Sequence, residues 1–254
     1  MKVSVITVVL NNKLTIADTI ETVRMQQYRP IEHIIVDGGS TDGTLDVINR
    51  YKDSIARLVS EPANGVYDAM NKGIELSSAD IVGFLNADDF YADENAVGQV
   101  VEAMQANNTD CCYGDLEYVA RDNPKQTVRR WKSRAYRDGL FEKGWHPPHP
   151  TFFAKKYLFD KFGRFDLDFR ISADYELMLR FLKKGAIKSC YIPRVLVKMR
   201  LGGASNKNLW QIIKANIECF QACRKNGLRV SPAIMFRKPF SKLAQYVRKT
   251  NRLQ

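Results

Sequence analysis

The chain opens on "VSVITVVL", an unbroken run rich in β-branched residues with no helical period, which turns polar at Asn11. "NNKLTIADTIETVRMQQ" follows, and its Leu14, Ile16, Ile20 and Val23 fit one face of a helix. "HIIVDGG" repeats the strand signal, Thr41 and Asp42 are placed to cap a helix over "GTLDVINRY", and "IARLVS" reads as a third strand. "YDAMNKGIEL" is helical in pattern, and "DIVGFLN" is a fourth strand. Strands alternating with helices at this spacing predict an α/β fold, a doubly wound, mostly parallel sheet with flanking helices. Ligands of such sheets sit beyond the carboxyl ends of the strands, where Asp37 and Asp88 both fall.

Beyond Asn95 the pattern predicts a helix to about Asn107 and a strand over "DCCYGDLEYV". A less regular stretch from Arg121 to Pro150 mixes aromatic, basic and proline residues, most densely in "GWHPPHPTFF". Helical pattern returns in "KKYLFDKF" and "ADYELMLRFLKKG", and "IKSCYI" and "VLVKMR" read as two further strands. From about Asn208 the pattern predicts helices outside the sheet.

The fourth strand ends in "GFLNADDFYAD", which sets Asp88 beside Asp89. Adjacent carboxylates repel unless a cation, hydrogen-bond donors or solvent relieve them, so the stretch is either an acidic turn or a metal site. Oxygen ligands in such a turn suit a hard cation, Mg²⁺ or Mn²⁺, which would bridge carboxylate to diphosphate. At "VDGGSTDGT" the second strand ends in Asp37, and two glycines allow a sharp turn. The motif is neither a dinucleotide fingerprint nor a Walker A loop. It reads as an Asp-Gly turn with a helix cap, or as a carboxylate that accepts hydrogen bonds from the base or ribose of a nucleotide. In "HPPHP" two histidines stand three apart, but the prolines exclude a helix and no third ligand completes a metal site.

Charge adds one feature. The chain has 254 residues and a net charge of +11, yet after Glu218 it has no acidic residue and nine basic ones, leaving only +2 for the first 218 residues. "SPAIMFRKPFSKLAQYVRK" interleaves apolar and basic residues, which predicts contact with an anionic membrane surface, and no nucleic-acid partner is expected. No run approaches the roughly 18 apolar residues of a spanning helix, and the amino-terminal segment is too soon polar for a signal peptide. The expected location is cytoplasmic, peripheral on the cytoplasmic face of the inner membrane. Five cysteines without paired spacing predict core or interface positions rather than a disulfide framework.

Taken together, "VSVITVVLNN", "IIVDGGSTDGT", "NGVYDAMNKGI", "FLNADD", "HPTFF", "GRFD", "ISADYEL" and "GGAS" resemble, in order and spacing, the family 2 glycosyltransferases of the GT-A fold, over roughly residues 1–206. The small bacterial enzymes of exopolysaccharide, O-antigen and colanic acid assembly are the most similar in pattern. The resemblance implies a GT-A domain over 1–206, with a nucleotide-binding half (1–110) and an acceptor half (111–206), followed by a helical basic extension over 207–254. It implies an inverting, metal-dependent transfer from a nucleotide diphosphate sugar of UDP, GDP or dTDP type to a glycan or lipid-linked acceptor in surface polysaccharide biosynthesis. Thr7, Val9, Asn11, Asp37 and Ser40 would hold the nucleotide; Asn71, Lys72, Asn86, Ala87, Asp88 and Asp89 would line the donor side, with Asp88 ligating Mn²⁺ or Mg²⁺. Asp174 stands where the family places its general base, at a predicted helix start. Arg200 with "LGGAS" resembles a loop that closes over the donor, grouped with Trp145 and His149 at the acceptor end. Asn86 replaces the first Asp of the commoner DxD, and Ala173 precedes Asp174 where many members have Glu. The competing readings are a sugar nucleotidyltransferase, for which a glycine-rich phosphate loop near the first strand is missing, and a non-catalytic module that binds membrane or nucleic acid.

Overall fold

The structure, a computed structural model, describes residues 1–202, 209–228 and 230–231. In chain order the elements are β1 (Val3–Val9), α1 (Ile16–Arg24), β2 (Ile31–Asp37), α2 (Thr44–Asn49), β3 (Arg57–Ser60), α3 (Val66–Leu76) and β4 (Ile81–Phe84). Then come β5 (Phe90–Tyr91), α4 (Ala96–Ala106), β6 (Cys111–Val119), β7 (Thr127–Trp131) and β8 (Phe153–Lys155). The chain continues through α5 (Tyr157–Phe162), α6 (Ala173–Leu179), β9 (Ser189–Arg200) and α7 (Leu209–Lys225).

One nine-stranded sheet runs β3-β2-β1-β4-β8-β6-β9-β5, with β7 added to β6. β3, β2, β1 and β4 are parallel, as expected from their βα alternation, and β6 pairs β9 in parallel. β8 and β7 share one edge of β6 and run antiparallel to it. β1 explains the unbroken apolar runs: Ile6 and Val8 enter a core with α3 and α6, whereas Val3 and Val5 enter a second with α4. A strand covered on both faces has no polar side to show.

Close packing sets local identities. In α1 the buried residues are Ile16, Thr19, Ile20 and Val23, spaced as one helix face. Leu14 lies before the helix and is 86% exposed, so it does not join that face as expected. A Cβ at Gly73 would stand 2.4 Å from Ile6 Cγ2, which lets α3 lie close on β1.

Two sequence expectations change here. The irregular stretch contains β7, a basic strand that among the described residues pairs only with β6. "IKSCYI" and "VLVKMR" form one strand, β9, because the register against β6 slips between Gly114 and Asp115 and absorbs Pro193 and Arg194 as a bulge. The first helix of the basic extension, α7, lies outside the sheet and packs on the main core through Cys219, Ala222 and Cys223. Residues 203–208, including most of "LGGAS", and 232–254, with most of the proposed membrane segment, lie outside the described residues. Among the described residues no helix is long and apolar enough to cross a membrane.

Candidate active site

The carboxyl ends of β1, β2 and β4 form one edge of the parallel half. The loops after β1 and β2 are tied together: Asn11 N donates to Ser40 Oγ at 2.8 Å, and Thr41 N donates to Asn11 Oδ1 at 2.8 Å. Asp37 holds its own turn, accepting Gly39 N at 3.1 Å, Ser40 N at 3.0 Å, Ser60 Oγ at 2.7 Å and the Ser40 hydroxyl. Gly39 in this turn has φ +88°, a conformation L side chains rarely adopt. The carboxylate expected to read a ribose or base is thus also the group that shapes the loop presenting it.

Thr7 differs from expectation. It is fully buried in mid-strand, and its Oγ1 pairs with His33 Nε2 at 3.0 Å, so its side chain points into the sheet. Val9 is likewise buried, and of the expected β1 set Asn11 is the exposed residue.

The turn after β4 treats its two aspartates differently. Asp89 is fully buried: it accepts Asn86 Nδ2 at 3.1 Å and Arg200 N at 3.2 Å, while its carbonyl accepts Thr19 Oγ1 at 2.7 Å. Burial, then the charge of Asp88, holds its pKa well above the usual carboxylate range. Asp88 is half-buried; burial raises its pKa too, against its own backbone N–H and the guanidinium groups of Arg121 and Arg200. Asn86 therefore orders the turn through Asp89, and Ala87 is anchored by Thr15 Oγ1, which donates to its carbonyl at 3.1 Å.

Arg200, grouped with the acceptor side from sequence, is found instead on this turn. It is buried, its NH1 donates to the Asp88 carbonyl at 2.9 Å, and its NH2 pairs with Asp18 at 2.5 Å. It joins the end of β9 to α1 and to the aspartate turn.

Among the described residues no three carboxylate, imidazole or thiol groups converge. A divalent cation here would take one protein ligand, Asp88, and complete its shell with phosphate oxygens and water, as Mg²⁺ sites commonly do. The donor set fits: Asp88 is half-buried and offers a carboxylate beside the fully buried Asp89, whose own oxygens are taken up by Asn86 and the Arg200 N–H.

Asp174 opens α6, and its Oδ1 accepts the Tyr67 hydroxyl at 3.1 Å, which also reaches the Ile171 carbonyl at 2.8 Å. Burial and the Asp174 charge raise the Tyr67 pKa well above its ordinary value, so the phenol stays a donor. The Tyr67 ring lies 5.3 Å from Phe165, which packs against Phe84 at the end of β4. His149 stacks on Phe84 at 5.4 Å and is close enough to Asp174 to feel its charge. Burial lowers the His149 pKa, and its Nε2 is buried without a hydrogen-bond partner. Phe84 thus links the aspartate turn to the Asp174 loop. Trp145 packs among Tyr113, Tyr136 and Phe141, also with its Nε1 unpartnered.

Asn71 is committed elsewhere: Nδ2 donates to the Phe165 carbonyl and Oδ1 accepts Phe165 N, both at 2.9 Å. It clamps the loop beneath Asp174 rather than offering its amide to a donor. Lys72 pairs with Glu61 at 3.7 Å.

Sequence reasoning missed Tyr67, Asp18 and Glu218. Tyr67 sits on the buried face of "NGVYDAMNKGI", whose spacing carried the signal. Glu218, the last acid before the basic tail, accepts Arg170 N at 3.2 Å and the Ile171 and Ser172 N–H groups at 2.8 Å, bracing the start of α6.

Comparison with known proteins finds relatives in both sequence and fold. The profile described as "Glycosyl transferase family 2" matches residues 4–165. An uncharacterized glycosyltransferase of Mycobacterium tuberculosis is 36% identical over 182 residues, 70% of this chain and 68% of its own. The Escherichia coli UDP-Glc:alpha-D-GlcNAc-diphosphoundecaprenol beta-1,3-glucosyltransferase WfaP is 35% identical over 121 residues, 47% of each chain. In fold, the chain is similar to Staphylococcus aureus TarS 1-349 in complex with UDP (TM-score 0.66, 15% identity, 92% of this chain and 68% of that one). It is equally similar to the Pyrobaculum calidifontis mannosyltransferase PcManGT in complex with GDP-Man and Mn²⁺ (TM-score 0.66, 19% identity, 96% and 70%).

Proposed function

From the premise that the chain belongs to glycosyltransferase family 2, we propose that it is an inverting, metal-dependent enzyme of bacterial surface glycan assembly. It moves one sugar from a nucleotide diphosphate sugar to a glycan or lipid-linked acceptor. The observation that carries the reading is the pairing of a half-buried, incompletely neutralised Asp88 at the end of β4 with Asp174 across the Phe84–Phe165–Tyr67 packing. The named relatives support it: solved neighbours hold UDP or GDP-Man, and WfaP acts on a diphosphoundecaprenol acceptor.

In this mechanism the loops at Asn11 and Asp37–Ser40 seat the nucleoside, and Asp88 faces the diphosphate. Mn²⁺ or Mg²⁺ held through Asp88 would supply positive charge to the leaving diphosphate. Asp174 takes the proton of the acceptor hydroxyl as its oxygen bonds to the anomeric carbon, and the bond to the diphosphate breaks on the opposite face. One base suffices, because the diphosphate leaves without protonation by a protein acid. His149, with its open Nε2, and Trp145 belong to the acceptor side. The nine cations after Glu218 would draw the enzyme to anionic lipid from the cytoplasmic side.

Asp174→Asn should keep nucleotide binding and lose transfer by about 10²–10⁴-fold, the usual contribution of a positioned base; full turnover would overturn the assignment. Asp88→Ala should remove the metal dependence of donor affinity, and wild-type affinity that ignores a chelator would overturn the metal reading.

A further inference from the structure

We propose that α7 docks the protein on an anionic lipid surface through an outward stripe of Trp210, Ile213 and Ile217, while its inner face holds the loop that carries Asp174. The inference rests on the lipid-linked acceptor reading and names the surface that would meet the membrane.

The three residues recur at three- and four-residue steps, so they share one side of the helix. Trp210 is 73% exposed, and Ile213 and Ile217 are each 41% exposed, while Cys219, Ala222 and Cys223 on the other side are buried. A helix that only packs on its domain turns charge outward, not a tryptophan and two isoleucines. Lys214, Gln221 and Arg224 are exposed beside the stripe, Ile212 is 38% exposed away from it, and Lys225 is engaged by Asp166 at 2.5 Å and Asp168 at 3.0 Å.

Charge identifies the occupant. Glu218 is the only acid of α7, and it turns inward onto the backbone N–H groups of Arg170, Ile171 and Ser172. Apart from Gln221, the outward residues of α7 are therefore apolar or cationic and include no carboxylate, as in helices that lie in a membrane interface, and the acids beside them, Asp166 and Asp168, are paired with Lys225 at its end. Trp210 suits the headgroup level, and Lys214 has the stem length to keep its ammonium in water. A second copy fits less well, because a twofold contact would set these cations against their own counterparts. The nine cations and no acids of residues 219–254 extend the same complementarity.

The inner face gives the contact a consequence. Glu218 follows Ile217 directly, and Ser172 Oγ donates to the Ala215 carbonyl at 3.1 Å, two residues before Asp174. Seating α7 on lipid thus places the Asp174 loop one helix diameter from the surface where a lipid-linked acceptor would present its hydroxyl.

The test is flotation of the full chain with phosphatidylethanolamine–phosphatidylglycerol vesicles and with phosphatidylcholine vesicles. The wild type should float with the anionic vesicles only. Trp210→Ser combined with Ile213→Ser and Ile217→Ser should cut the bound fraction about tenfold, with thermal midpoint and Mn²⁺-dependent nucleoside diphosphate release in solution unchanged. A triple variant that floats like the wild type would overturn the proposal and leave contact to the segment after Lys225. Equal binding to phosphatidylcholine, or a wild-type dimer in light scattering that the triple variant turns into a monomer, would overturn it as well. Intact nucleoside diphosphate release without flotation would sink the docking surface alone, whereas no release from any donor would sink the transferase reading.

Discussion

Replacing Tyr67 with Phe removes one oxygen and leaves the ring against Phe165, 5.3 Å away. The lost hydroxyl is shared between the Ile171 carbonyl at 2.8 Å and Asp174 Oδ1 at 3.1 Å. A hydrogen bond to a charged acceptor contributes about 1.5–3 kcal/mol, and a donor split between two acceptors belongs at the low end. If that energy orients the base in the transition state, about 1.5 kcal/mol corresponds to a roughly tenfold fall in kcat. Donor KM should stay constant, since Tyr67 contacts the Asp174 loop and not the loops at Asn11 and Asp37–Ser40. The assay is nucleoside diphosphate release at saturating donor for wild type, Tyr67→Phe, Asp174→Asn and the double variant. With the base gone, the hydroxyl has no carboxylate to orient, so Tyr67→Phe should cost almost nothing in the Asp174→Asn background. An unchanged kcat, or the same tenfold loss in both backgrounds, would refute the positioning role.

Two further predictions concern the scaffold. A Cβ at Gly83 would stand 2.3 Å from a ring carbon of the buried Phe153, so Gly83→Ala should lower stability by about 1–3 kcal/mol; an unchanged urea midpoint would contradict this packing. His33 is buried beside Thr7, and burial lowers its pKa from 6.5 to about 4. The unfolded chain takes up that proton below pH 6.5 and the native one does not, so stability is full above 6.5 and falls as pH drops toward 4. The loss attributable to His33 should reach about 2 kcal/mol by about pH 5, and urea titrations in which a His33→Asn variant keeps the same slope would contradict it.

The strand ends were legible because burial on both faces writes an unbroken apolar run, and the polar residue that stops it marks the carboxyl edge. Asp37 and Asp88 fall on that edge for this reason. The same two-sided burial hides which way each side chain points, which is why Thr7 read as a strand-end contact although it faces His33. "IKSCYI" and "VLVKMR" read as two strands, but a register slip against β6 accommodates the Pro193 between them; Gly114 makes room there, since a Cβ would stand 2.6 Å from Leu196 Cγ. Tertiary pairings left no local trace: Arg200 meets the aspartate turn across 112 positions, and Glu218 reaches the start of α6 across 46. The aspartates of the site were thus visible in sequence, while the residues that orient them emerged only from the packing.

The central claim is sugar transfer from a nucleotide diphosphate donor aided by a cation at Asp88. The most direct test incubates the wild-type protein with UDP-, GDP- and dTDP-sugars and measures nucleoside diphosphate release with Mn²⁺ and with a chelator. The account predicts release from one nucleotide class, dependent on Mn²⁺ and absent in Asp88→Ala. Release that persists in chelator and in Asp88→Ala, or none from any donor, would contradict it.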